Sequence, residues 1–126
     1  MNPLAPYLLL AIFMGGGLGS VVRHIFGVWL NAKTAIPMGT LLANLLATAI
    51  LAWATTRFAA KWPDHMTLQA AIAIGFCGGF STFSTFSADT HKLMASGQWG
   101  WALANVLISV LACVLVFALV SGGLRR

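Results

Sequence analysis

The segment Gly75-Phe76-Cys77-Gly78-Gly79-Phe80-Ser81-Thr82-Phe83-Ser84-Thr85-Phe86-Ser87 decides how this chain is read. It lies in an uncharged stretch, residues 66–88. That is long enough to cross a membrane, because a hydrocarbon core about 30 Å thick takes roughly 20 helical residues. Two adjacent glycines followed by alternating hydroxyl residues disfavour an uninterrupted helix. A break inside the bilayer frees backbone carbonyls and N–H groups, and is tolerated where protein or a hydrated cavity shelters them. A small cation could use the carbonyls, and an anion the donors. The competing reading is a continuous helix whose hydroxyls bond to carbonyls one turn behind. Phe80, Phe83 and Phe86 recur every three residues. They form either a packing stripe or a row of ring edges, which are electropositive and can face an anion in a narrow apolar passage.

The rest of the chain sets this segment in a membrane. Of its 126 residues 60% are hydrophobic and only 7% charged, where a soluble domain has about a quarter charged. Seven Lys/Arg and two Asp/Glu do not clothe a soluble surface. Four uncharged stretches, residues 1–22, 34–56, 66–88 and 93–124, are long enough to span. The expected fold is an all-α membrane protein, one domain over residues 1–126. Its four transmembrane helices fall at about residues 4–29, 35–57, 67–92 and 99–120, the third broken mid-membrane. Short separators make neighbouring helices antiparallel and put both termini on one side. The first stretch has no basic leader and is followed by three comparable ones, so it reads as a span and not as a signal peptide. Trp29, Trp62, Trp99 and Trp101 sit near predicted ends, as in an interfacial belt.

The net charge of +5 is scattered and forms no basic stripe for nucleic acid. Arg57, Lys61, Arg125 and Arg126 fall on the terminal side, against Lys33 and Lys92 on the other with Arg23 near that end. So shallow a bias permits insertion in both orientations. Cys77 and Cys113 lie in apolar runs and read as packing residues.

Polar groups inside the spans are few. Gly15 and Gly19 form a GxxxG step that permits close helix approach, and Arg23 follows one turn later. Pointing inward, Arg23 is a positive wall or a hydrogen-bond hub; pointing outward, it snorkels. Thr40, Asn44 and Thr48 share one helix face, with Gly39, Ala43 and Ala47 on the adjoining one. Asn44 either bonds another helix or offers its amide donors to a passing solute. In the last span Trp101, Asn105, Ser109 and Cys113 repeat at intervals of four. No pair of carboxylates, phosphate-binding loop, G-x-S-x-G or close set of metal-ligating side chains occurs. The chain is not expected to be an enzyme.

In this order the elements resemble the CrcB/Fluc family of fluoride channels. The resemblance spans nearly the whole chain. It rests on Gly15-Gly16-x-x-Gly19 leading to Arg23, on Gly39-Thr40-Leu41-x-x-Asn44, and above all on Gly78-Gly79-Phe80-Ser81-Thr82-Phe83-Ser84-Thr85-Phe86. It implies a homodimer of antiparallel, oppositely inserted subunits in the prokaryotic plasma (inner) membrane, surrounded by lipid, with two fluoride pathways. Asn44 would donate along the pathway, and Phe83 and Phe86 would line it with ring edges. Thr40, Ser84, Thr85 and Ser109 are further polar candidates, and Arg23 would stand at an aqueous mouth. The resemblance also implies a structural sodium ion at the dimer axis, held by the backbone carbonyls of Gly78 and Ser81 and their symmetry mates. Three positions depart from the family's habit: Asp89 where relatives often have glutamate, Ser81 where threonine is common, and Asn105 where many place tyrosine.

The implied activity is passive, fluoride-selective conduction, exporting fluoride down its electrochemical gradient. Donors replace part of the ion's hydration, and several modest sites allow both capture and release. Two other readings share the size. A small multidrug-type transporter would need a mid-membrane acid, and neither acid occupies such a position. A non-conducting structural membrane protein would use the polar ladders only to assemble helices.

Overall fold

The computed structural model describes residues 2–123; Met1 and the basic tail residues Arg125 and Arg126 lie outside the described residues. Among the described residues, four segments are long and apolar enough to cross a membrane: Pro6–Leu30, Met38–Lys61, Met66–Ala95 and Trp99–Val120. We number the helices α1 (Pro6–Leu30), α2 (Met38–Lys61), α3 (residues 66–80), α4 (Phe83–Ala95) and α5 (Trp99–Val120). The fold is all-helical among the described residues.

Helix starts follow from local chemistry. Pro6 opens α1, where its missing N–H costs no helical bond. The second helix begins at Met38, with Pro37 as the residue before the first turn. Its exposed amides are covered from a distance. The Asn31 side chain, after the end of α1, accepts from the N–H groups of Gly39 at 2.7 Å and Thr40 at 3.2 Å. These are the orphan donors of a helix start, satisfied here by a residue eight positions earlier. Wide π-type turns occur at Ala54–Phe58 in α2 and Ala71–Phe76 in α3.

The α1–α3 crossing is made by backbone on backbone. Gly15 and Gly19 of α1 face Gly75 and Gly79 of α3, a four-residue glycine step on each side. A Cβ on Gly75 would stand 2.6 Å from the Ile12 carbonyl oxygen, and one on Gly79 would meet the Gly16 carbonyl. Gly17 faces open space and has no such duty. Inside, Ala43, Ala47 and Phe80 form a small buried cluster flanked by Val22, Phe26, Ile50 and Phe76. The Phe26 and Phe80 rings meet edge-on at 5.4 Å. The outer faces of α1 and α5 expose Phe13, Leu18, Leu111 and Val114, as lipid-facing helices do.

Between α3 and α4 the backbone leaves the helical region. Ser81 (φ −77°, ψ 153°) and Thr82 (φ −154°, ψ 122°) are extended, and helical bonding resumes at Phe83. Thr82 caps the new start: its side chain accepts the Thr85 N–H at 3.1 Å.

Candidate functional site: a polar groove beside the two extended residues

One side chain grips the extended pair, and a second holds the residues on either side of it. Asn44 on α2 holds Thr82 at two points. The Thr82 N–H donates to Asn44 Oδ1 at 2.7 Å, and Asn44 Nδ2 donates to the Thr82 carbonyl at 3.3 Å. One amide hydrogen of Asn44 is left for other work. Arg23 on α1 points inward: Nε donates to the Gly79 carbonyl at 2.9 Å, and a terminal guanidinium nitrogen lies 3.4 Å from Thr85 Oγ1. Ser20 Oγ also reaches the Gly79 carbonyl, at 3.5 Å.

These bonds leave particular carbonyls unused. In an α-helix the N–H groups of Thr82 and Thr85 would bond to the carbonyls of Gly78 and Ser81. Both N–H groups are taken instead by side-chain oxygens, those of Asn44 and Thr82. A Cβ at Gly78 would meet nothing within 4 Å, so this backbone borders open space. Two neutral carbonyl oxygens suit a hard cation such as sodium, though one chain offers fewer than such an ion takes. Among the described residues, no three His, Cys, Asp or Glu side chains converge on a metal site.

The groove next to this segment has a volume of about 280 Å³ and runs between α2, α4 and α5. Asn44 and Thr48 line it from α2, Phe83 and Phe86 from α4, and Ser109 and Cys113 from α5. The two rings are 5.4 Å apart and tilted by 41°. Phe86 is buried, whereas Phe83 is 77% exposed in the single chain. Four of the residues proposed from sequence for the pathway therefore meet in one place.

The others lie elsewhere. A second cavity, about 400 Å³, joins Ser20, Arg23, His24, Asn31, Thr40 and Thr85. Thr40 is 4% exposed and its hydrogen is committed, donating to Asp89 Oδ2 at 2.9 Å while the oxygen accepts from Asn31 Nδ2 at 3.3 Å. Ser84 is exposed and lines neither cavity. Asn31 and Asp89 also border a third cavity of about 470 Å³ with Lys92 and Gln98.

Sequence reasoning missed Asn31, which lies in a connecting turn with no local capping pattern. Thr90 was equally hidden. It donates to the Phe86 carbonyl at 2.8 Å and accepts from Asn105 Nδ2 at 2.9 Å, so Asn105 ties α5 to α4. Its position four residues before Ser109 marked the shared face but not this partner.

Known proteins of similar sequence place the chain in a family. The profile of the CrcB-like protein family, Camphor Resistance (CrcB), matches residues 10–122. A protein of Escherichia fergusonii named fluoride-specific ion channel FluC is 43% identical over 113 residues, which is 89% of each chain. A protein of Salmonella arizonae with the same name is 45% identical over the same extent, as is one of Salmonella newport. Matched over most of its length by the family profile and by relatives well above 30% identity, the chain belongs to the CrcB/Fluc family.

Proposed function

We propose that the chain forms a fluoride-selective ion channel, a multi-pass protein of the prokaryotic plasma membrane that exports fluoride passively down its electrochemical gradient. It is a channel and not an enzyme. The observation that carries the reading is the convergence of Asn44, Phe83, Phe86 and Ser109 on one groove beside the extended pair Ser81–Thr82.

Each group has a part in the passage. Fluoride gives up hydration on entering, and the free amide hydrogen of Asn44 replaces some of it. The amide is held in place because its oxygen and its other hydrogen grip Thr82. Ring edges of Phe83 and Phe86 contribute a weaker attraction, and the Ser109 hydroxyl a further donor. No single site is deep, so the ion leaves as readily as it arrives. Arg23, with Thr85 and Thr40 nearby, gives the mouth a positive wall, since only part of its guanidinium is used on Gly79 and Thr85.

The extended pair is a helix break lying within the hydrocarbon, and the channel is a homodimer of oppositely inserted subunits. What supports the dimer is the outward Phe83 ring and the open backbone at Gly78, a face left unfinished by one chain. Two chains meeting there would bring four carbonyls together, from Gly78 and Ser81 of each, and these would hold a sodium ion whose fixed positive charge would favour nearby anions. The apolar outer faces of α1 and α5 contact lipid.

The test is fluoride efflux from liposomes containing the purified protein, compared with chloride at the same imposed voltage and without a pH gradient. Rapid fluoride movement with little chloride movement is expected. Correctly inserted, folded protein that moves no fluoride would refute the reading.

A further inference from the structure

We propose that Asn105 and Thr90 are positioning residues that set where the Ser109 hydroxyl points its hydrogen, and thereby how tightly the groove holds an anion. The inference rests on the channel reading above. Asn105 is the largest fully buried side chain among the described residues, 1% exposed, and it does not line the groove. Its amide nevertheless has a defined polarity. The Thr90 hydroxyl donates to the Phe86 carbonyl, so its oxygen is the acceptor that remains for Asn105 Nδ2 at 2.9 Å. With the nitrogen turned to α4, the amide oxygen faces along α5 to Ser109, whose Oγ stands 3.5 Å away. Three donors thus point the same way, from the groove through Ser109, Asn105 and Thr90 to the backbone of α4.

The consequence falls on Ser109, which is 7% exposed and lines the groove. At rest its hydrogen is turned away and its lone pairs face the passage. An arriving anion must draw that hydrogen from the Asn105 amide oxygen. At 3.5 Å the resting bond is at the limit of hydrogen bonding, so the exchange is shallow. Ser109 lends its donor while the ion is present and returns it afterwards. A buried amide here competes with the ion for one hydrogen, and that competition keeps the site from becoming a trap.

The experiment measures fluoride efflux from vesicles over a range of fluoride concentrations for wild type, Asn105→Leu and Thr90→Val. Each is made with and without Ser109→Ala. Leucine removes the competing acceptor, and valine removes the group that orients the amide. Each should lower the half-saturating fluoride concentration about twofold to threefold, as expected for losing one weak neutral hydrogen bond. Neither should shift it when Ser109 is already alanine. Unshifted half-saturation in both single variants overturns the inference. So does an equal shift with and without the Ser109 hydroxyl, which is what general loosening of the α4–α5 contact would give. Should the leucine variant fail to assemble, Thr90→Val, nearly isosteric, carries the test alone. Wild type that moves no fluoride refutes the channel reading and this inference with it, whereas a conducting wild type with unshifted variants refutes this inference only.

Discussion

Replacing Asn44 by alanine separates two roles of one side chain. The change strands the Thr82 N–H, which now donates at 2.7 Å, and removes a second, longer bond to the Thr82 carbonyl. A sheltered amide left without a partner costs about 1–3 kcal/mol, and the 3.3 Å bond adds less than a typical one. The sum is about 2–3 kcal/mol, concentrated on the two extended residues. For a chain of this length that lowers the midpoint of thermal unfolding on the order of 10 °C. Fluoride efflux should fall as well, because the donor is gone and the residues beside it are loosened. Asn44→Asp keeps an acceptor for the Thr82 N–H but places negative charge against the ion. It should recover only the part of the lost thermal stability that belongs to the Thr82 N–H, because its second oxygen faces the Thr82 carbonyl where Asn44 Nδ2 donates, while leaving fluoride efflux low. The assays are thermal unfolding of the detergent-solubilised protein and liposome efflux on the same preparations. An alanine variant with an unchanged midpoint would show that the clasp does not hold the segment. Unchanged concentration-dependent efflux would remove Asn44 from the pathway.

Three further substitutions probe other parts. Phe83→Ile keeps apolar bulk but loses the ring, and should sharply reduce fluoride efflux; normal flux from folded protein would deny the ring edge a role. Gly75→Ala puts a Cβ 2.6 Å from the Ile12 carbonyl oxygen and should destabilise by about 1–3 kcal/mol through overpacking. Gly17→Ala, facing open space, should be neutral or slightly stabilising, so equal unfolding midpoints for the two would refute the crossing as described. Arg23→Lys keeps the charge but loses the planar fork that reaches both Gly79 and Thr85. Its midpoint should fall by an amount equivalent to about 2 kcal/mol, the scale of a charged hydrogen bond, and a wild-type midpoint would make Arg23 a bystander to the fold.

How far the sequence leads is plain from particular residues. The gaps between charges locate the apolar segments, because no other composition keeps a helix in hydrocarbon. The run from Gly78 to Phe86 is specific enough to reveal the family. Helical spacing puts Thr40, Asn44 and Thr48 on one face, but spacing carries no information about what stands opposite. Thr40 turns its hydrogen to Asp89, Asn44 grips Thr82, and Thr48 bonds back to the Asn44 carbonyl. One face thus serves three purposes, chosen by partners 38 and 49 residues away for the first two. Arg23 shows the same limit. Its position after the glycine step was equally compatible with snorkelling, and only the free Gly79 carbonyl across the crossing decides for the interior. Asn31 carried no signal, since it covers a helix start from the far side of a turn.

The glycine crossing has a mechanical meaning. Packed side chains let neighbouring helices creep past one another, because rotamers can change and fill the shifting space. Along the glycine face of the α1–α3 joint backbone rests on backbone, and the nearest crossing side chains, Ser20 and Arg23, hold the Gly79 carbonyl. Gly15 and Gly19 rest on the peptide groups of α3, and Gly75 and Gly79 on those of α1. Such a contact has little slack, since an added methyl group at Gly75 or Gly79 would already strike backbone. Ser81 and Thr82 follow that contact at once in sequence, so the close crossing fixes where they begin. On the proposed reading, hydroxyl rotors and rings are then expected to move during passage of an ion while the backbone oxygens beside them keep their spacing.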